Sequence, residues 1–180
     1  MELKVPVELK VRRLGAFPDP EALFISLYGE SDHAFWLDSS RPGNHARFSF
    51  MGDASGPLAE VVLHEAGEKD LLDHLQQRLK ELRPAEIPDL PFEFDCGFVG
   101  YLGYEMKAEC GLTSPHRSDL PDAAFIFADR LIAFDHLESR TYLLCLHRPD
   151  EEAAADAWIA EVERRLSGRP GEGRRTLPAV

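Results

Sequence analysis

Apolar residues at Leu3, Val5, Val7, Leu9 and Val11 alternate with polar neighbours, which predicts a half-buried strand over Leu3 to Leu14, with Pro6 suggesting an edge position. Asp19 before Pro20 marks a helix start, because an N-cap oxygen precedes a residue whose missing N–H costs nothing in the first turn. Leu23, Phe24 and Leu27 then form an apolar stripe ending at Gly29. Two aromatic-rich runs, Ala34 to Leu37 and Arg47 to Met51, flank the turn-forming SSRPGN and predict two strands joined by a loop. Leu58 to His64 predicts another strand. From Lys69 to Arg83 the period changes, as Leu71, Leu72, Leu75, Leu79 and Leu82 fall on one helical face. Pro84 to Pro91 is an extended connector. Ala123 to Phe134 and Thr141 to His147 flank DHLESR as an antiparallel hairpin, and Asp150 is expected to cap a final helix whose face carries Ala155, Trp158, Ile159, Val162 and Leu166. This order, with hairpin-like spacings between strands, predicts an α+β fold of largely antiparallel sheets with packed helices. Residues 1–167 are expected to form one domain and 168–180, rich in Gly, Pro and Arg, a linker or tail.

Composition narrows the partners. With 20 Lys and Arg against 32 Asp and Glu, the chain carries a formal charge of -12, a field that repels phosphate backbones, so neither nucleic acid nor an anionic membrane is an expected partner. Three cysteines, Cys96, Cys110 and Cys145, form no CxxC pair and suit a reducing compartment. No apolar run approaches a membrane span, and the amino terminus lacks a continuous apolar core of a leader, so a soluble cytoplasmic protein is expected.

The stretch CGFVGYLGYEMKAECG, Cys96 to Gly111, places Gly97, Gly100 and Gly103 at intervals of three among aromatics. GxxGxxG lacks the spacing of the dinucleotide fingerprint GxGxxG, which favours a packing bend: glycines on one side admit a second backbone while Phe98, Tyr101 and Tyr104 pack outward. The seven histidines show no ligand spacing, and no nucleophile elbow occurs, so neither a metal site nor catalytic residues are expected in this chain. In FWLDSS, Asp38, Ser39 and Ser40 leave an aromatic strand. A carboxylate and hydroxyls there could hold a ligand ammonium beside an apolar pocket, although spacing alone favours ordinary turn chemistry.

FWLDSS (Phe35 to Ser40), ARFSFMG (Ala46 to Gly52), GFVGYLGYEMKAECG (Gly97 to Gly111) and PDAAFIFADRLIAFDH (Pro121 to His136), in that order, resemble the N-terminal domain of aminodeoxychorismate synthase component I. The resemblance covers about Ala34 to Leu166, and anthranilate synthase component I shares the frame. It implies the N-terminal part of a β-sandwich that packs on a catalytic chorismate-binding domain, which holds the chorismate and magnesium sites and takes ammonia from a glutamine amidotransferase. No motif of that catalytic domain is found here, so this chain is expected to be non-catalytic alone and to hold no cofactor itself. The resemblance further implies an aromatic amino acid pocket, for tryptophan for example, with Asp38 and Ser39 matching its acid-serine pair and Arg47, Phe48 and Ser49 its next wall. Asp38 is one methylene shorter than the glutamate common in that pair. Two other readings stay open: the anthranilate synthase domain with a tryptophan feedback site, and a stand-alone binding or scaffold domain for an amidotransferase or catalytic subunit.

Overall fold

A computed structural model describes residues 5–39, 47–68, 70–112 and 118–167. Residues 40–46, with Ser40, and residues 168–180, expected as a linker or tail, lie outside them. The first strand, β1 (Glu8–Leu14), is shorter than the alternation suggested, and it does lie at a sheet edge, paired antiparallel with a strand from the far end of the chain. Helix α1 (Pro20–Tyr28) starts as its sequence dictates, with the Asp19 carboxylate accepting the N–H of Glu21 at 3.0 Å and of Ala22 at 3.5 Å. Next come β2 (Ala34–Leu37), β3 (Phe48–Asp53), β4 (Glu60–His64) and helix α2 (Leu71–Glu81). Leu71 and Leu82 are buried at the ends of α2, whereas Leu72 and Leu79 of the expected stripe are exposed.

The motif strand β5 (Gly97–Leu102) passes into a 3-10 turn over Tyr104–Cys110. The apolar run expected as a single hairpin arm is two strands, β6 (Ala123–Ala128) and β7 (Arg130–Asp135), which belong to different sheets. The chain changes sheet at Asp129, a buried carboxylate whose Oδ2 accepts the Leu58 N–H at 2.8 Å while its backbone oxygen accepts the Leu146 N–H at 2.7 Å. Strand β8 (Arg140–His147) completes the β7 hairpin. Helix α3 (Glu152–Ser167) follows a 3-10 turn over Pro149–Glu151. Asp150 sits inside that turn, and Glu151, accepting the Arg148 N–H at 3.3 Å, closes it instead.

One antiparallel sheet runs β1-β8-β7-β3-β2 and the other β4-β6-β5. Strand alternation sends Met51, Ile132, Phe134 and Leu143 to one face of the larger sheet, where Leu23 and Tyr28 of α1 and Ile159 and Val162 of α3 cover them. Leu131, Ala133, Tyr142 and Leu144 face the other way, against Val99 and Ile126 of the smaller sheet and Phe92 and Phe94 of the connector. Both faces of the larger sheet are therefore dry. The result is the expected α+β fold, a sheet-on-sheet core with α1 and α3 on the outer face of the larger sheet.

Candidate functional site

Asp38 and Ser39 leave the larger sheet at the end of β2. Extending the Leu37–Phe50 pairing by one residue sets Asp38 across from Ser49, and the Ser49 hydroxyl donates to Asp38 Oδ1 at 3.1 Å. Ser49 Oγ also accepts the Ser39 backbone N–H at 2.9 Å and lies 2.7 Å from His136 Nε2. A hydroxyl has one proton and two lone pairs. With the proton committed to Asp38, Ser49 accepts from Ser39 and from His136, which assigns the imidazole hydrogen to Nε2. Phe17 stands edge-on to His136, with ring centroids 5.4 Å apart, and to Phe134 at 5.8 Å.

Burial divides the roles. Ser49 is fully buried and Asp38 exposed, so the serine is a post that aims the carboxylate, and the carboxylate is the group a ligand can meet. The arrangement suits a cation such as an ammonium beside aromatic surface. It does not suit nucleophilic catalysis, because the serine stands between acid and base with its hydroxyl saturated.

Arg47 takes a different partner. Its Nε and Nη2 donate to the two carboxylate oxygens of Asp135 at 2.9 and 2.6 Å. Asp135 is fully buried, and its Oδ1 also accepts the N–H groups of Leu137 and Glu138 at 3.1 Å each. Burial pushes this carboxyl up, but the Arg47 fork and those N–H groups outweigh it and hold the group below its ordinary range. Phe48, next in the strand, turns to the opposite face from Ser49 and meets Phe92 edge-on at 5.2 Å, with the Arg47 guanidinium 4.7 Å above its ring. The structure thus gathers Asp38, Ser39 and Ser49, ties Arg47 to Asp135, and sends Phe48 to the other side of the sheet. His136 and Asp135 are the members the sequence reading missed. Their only signal is the β3–β7 register, Phe48 opposite Asp135, which brings residues far apart in the chain together.

The glycine motif is a packing device, with one revision. At Gly100 an added Cβ would lie 2.0 Å from the Ala124 carbonyl oxygen, and at Gly103 2.7 Å from that of Asp122, so both admit a neighbouring backbone. Gly97 instead adopts a φ of +132°. Their interval of three is odd, so along the strand Gly97 and Gly100 point to opposite faces rather than to one side. Phe98 packs on Phe125 and Phe127, the Tyr101 hydroxyl donates to the Pro121 carbonyl at 3.0 Å, and Tyr104 is 81% exposed beneath the Lys107 ammonium. Among the described residues no group of three or more His, Cys, Asp or Glu side chains could hold a metal ion, and no helix is long and apolar enough to cross a membrane.

Comparison with known proteins supplies the wider frame. Residues 32–178 match the family of chorismate binding enzymes. The aminodeoxychorismate synthase of Streptomyces griseus is 44% identical over 176 residues, covering 89% of this chain and 24% of that protein. That of Streptomyces pristinaespiralis is 41% identical over 180 residues, covering 88% of this chain and 25% of that protein. Anthranilate synthase component 1 of Haloferax volcanii is a weaker relative, 32% identical over 81% of this chain and 36% of its own length. The crystal structure of anthranilate synthase component I from Streptococcus pneumoniae TIGR4 shares the fold, with a TM-score of 0.53 at 21% identity over 88% of this chain and 37% of that one. The chain spans about a quarter of the length of the aminodeoxychorismate synthases it matches.

Proposed function

From the premise that the chain belongs to the chorismate binding enzyme family, we propose that it is the non-catalytic N-terminal portion of an aminodeoxychorismate synthase component I. The observation that carries this reading is the 44% and 41% identity to the two Streptomyces aminodeoxychorismate synthases, against 32% to the anthranilate synthase of Haloferax volcanii. In this reading the complete enzyme converts chorismate and glutamine-derived ammonia to 4-amino-4-deoxychorismate, on the route to 4-aminobenzoate and folate. Magnesium, chorismate and the contact with the glutamine amidotransferase are assigned to the remaining three quarters of such an enzyme. This chain contributes packing against that portion and a pocket for an aromatic amino acid.

The Asp38–Ser49–His136 cluster supports the pocket. Ser49 and the Ser39 N–H hold Asp38 at the sheet end, so a ligand ammonium meets a carboxylate whose orientation is already fixed. His136 and Phe17 supply flat surface beside it. Two measurements test the proposal. Incubation of this chain with chorismate, ammonium and magnesium is expected to yield no product, and robust turnover would overturn the non-catalytic assignment. Calorimetry with tryptophan on the complete enzyme is expected to show binding that Asp38→Asn weakens about tenfold, as loss of a charge-assisted contact should. Unchanged affinity removes Asp38 from the pocket.

A further inference from the structure

A second site lies on the sheet face opposite the Asp38 cluster. Arg13 of β1 pairs in register with Tyr142 of β8, so both side chains point to the face that also carries Ala133. Between them, the β7–β8 turn and the connector opens a cleft of about 290 Å³. Three guanidinium groups line it, those of Arg13, Arg47 and Arg140, in a chain whose formal charge is -12. We propose that this cleft binds a small monocarboxylate with a flat apolar body.

The arginines are held in place to different degrees. Arg47 is oriented by its fork to buried Asp135, and Arg13 by donating from Nη2 to the Asp89 carbonyl oxygen. Arg140 makes no hydrogen bond or ion pair among the described residues, and its fork stays open. Tyr142 is only 4% exposed, packs edge-on to Phe92 at 5.3 Å, and lines the cleft. A phenol at the cleft wall can donate its O–H to an acceptor that enters. A carboxylate is that acceptor, because its two oxygens match a guanidinium fork and leave a lone pair for the phenol.

Charge decides against a dianion. Asp89 and Glu138 also line the cleft and Asp135 lies behind Arg47, so the three guanidinium groups are already balanced by three carboxylates. A single negative charge is tolerated there, and phosphate would meet repulsion from the rim. Leu90 and Pro91 supply apolar wall for the ligand's body.

The test is NMR titration of this chain with sodium benzoate, and separately with sodium phosphate, at constant ionic strength. Benzoate is expected to give saturable shifts at Arg13, Leu90 and Tyr142, with affinity falling about tenfold in Arg140→Ala and severalfold in Tyr142→Phe, as charged and neutral hydrogen bonds respectively should. Arg164→Ala, on the exposed side of α3, is expected to change nothing. Absence of saturable shifts up to about 50 mM, a concentration that captures very weak binding, overturns the proposal. So does an equal loss in Arg164→Ala, which would show bulk charge alone, and so does phosphate binding as tight as benzoate.

Discussion

Replacing Gly100 with alanine tests the close approach of β5 to β6. The new Cβ would lie 2.0 Å from the Ala124 carbonyl oxygen, 2.6 Å from Phe125 Cδ1 and 2.7 Å from Phe125 Cα. Ordinary van der Waals contact begins near 3.4 Å, so the two strands must part by roughly an ångström, and two of the three obstacles are backbone or fixed to it. Overpacking of this kind costs about 1–3 kcal/mol, and weakening one or two ladder hydrogen bonds between Gly100–Phe125 and Tyr101–Ala124 adds about 1 kcal/mol each. The expected loss is therefore about 3 kcal/mol, which for a chain of this size lowers Tm by about 6–12 °C. Gly15 provides the control, since an added Cβ there meets nothing within 4 Å and its backbone is not left-handed. Gly15→Ala should be neutral or slightly stabilising. Thermal unfolding followed by circular dichroism on the two variants decides the matter. A Gly100→Ala chain melting within about 2 °C of the parent, a difference worth under 1 kcal/mol, would refute the close-approach account.

Three other outcomes follow from single residues. Burial raises the Asp129 carboxyl above its ordinary range, so the folded chain holds that proton more tightly than the unfolded one, and stability falls as pH climbs through the raised value. Asp129→Asn keeps an acceptor for the Leu58 N–H and removes the charge. Urea unfolding followed as pH rises from the ordinary carboxylate range to neutrality should show a flatter pH dependence in the variant, and parallel curves would contradict the assignment. Ser49→Ala strips the Ser39 N–H, Asp38 and His136 of their shared partner and should cost about 1–2 kcal/mol in urea unfolding. Ser39→Ala, which leaves the backbone donor intact, should cost under about 0.5 kcal/mol, and equal losses would contradict the hub role of Ser49. Burial pushes the Cys145 thiol up to about 12 and the Cys96 thiol well above its usual range. Both should resist iodoacetamide in the native chain near pH 8 and react after denaturation, as mapped by mass spectrometry; native labelling as fast as in the denatured chain would contradict the raised thiol pKa.

Local pattern carried most of the fold. Asp19-Pro20 capped α1 as a side-chain oxygen before proline should, and the α3 stripe at Ala155, Ile159 and Val162 faces the core. The run from Ala123 to Phe134 was harder, because residues on both sides of Asp129-Arg130 are equally strand-like. Only the charged pair in its middle marks the change of sheet, and the cost of burying Asp129 is partly offset by a backbone N–H from a segment distant in sequence, with Oδ1 left without a hydrogen bond among the described residues. The site shows the same division. Asp38, Ser39 and Ser49 were legible as residues leaving and entering neighbouring strands, and alternation alone separates Ser49 from Phe48. His136 and Asp135 were not legible, since their place beside Ser49 and Arg47 depends on how β3 pairs with β7. Asp150 failed as a cap because proline at 149 initiates a 3-10 turn one step earlier, with Arg148 at its start.

In the proposed reading this chain does the work of the N-terminal portion of an aminodeoxychorismate synthase. The most direct test is to exchange the matching quarter of the Streptomyces griseus enzyme for this chain and to follow chorismate and ammonium by product analysis. A folded chimaera that forms 4-amino-4-deoxychorismate is expected, and a folded chimaera that forms none would overturn the assignment.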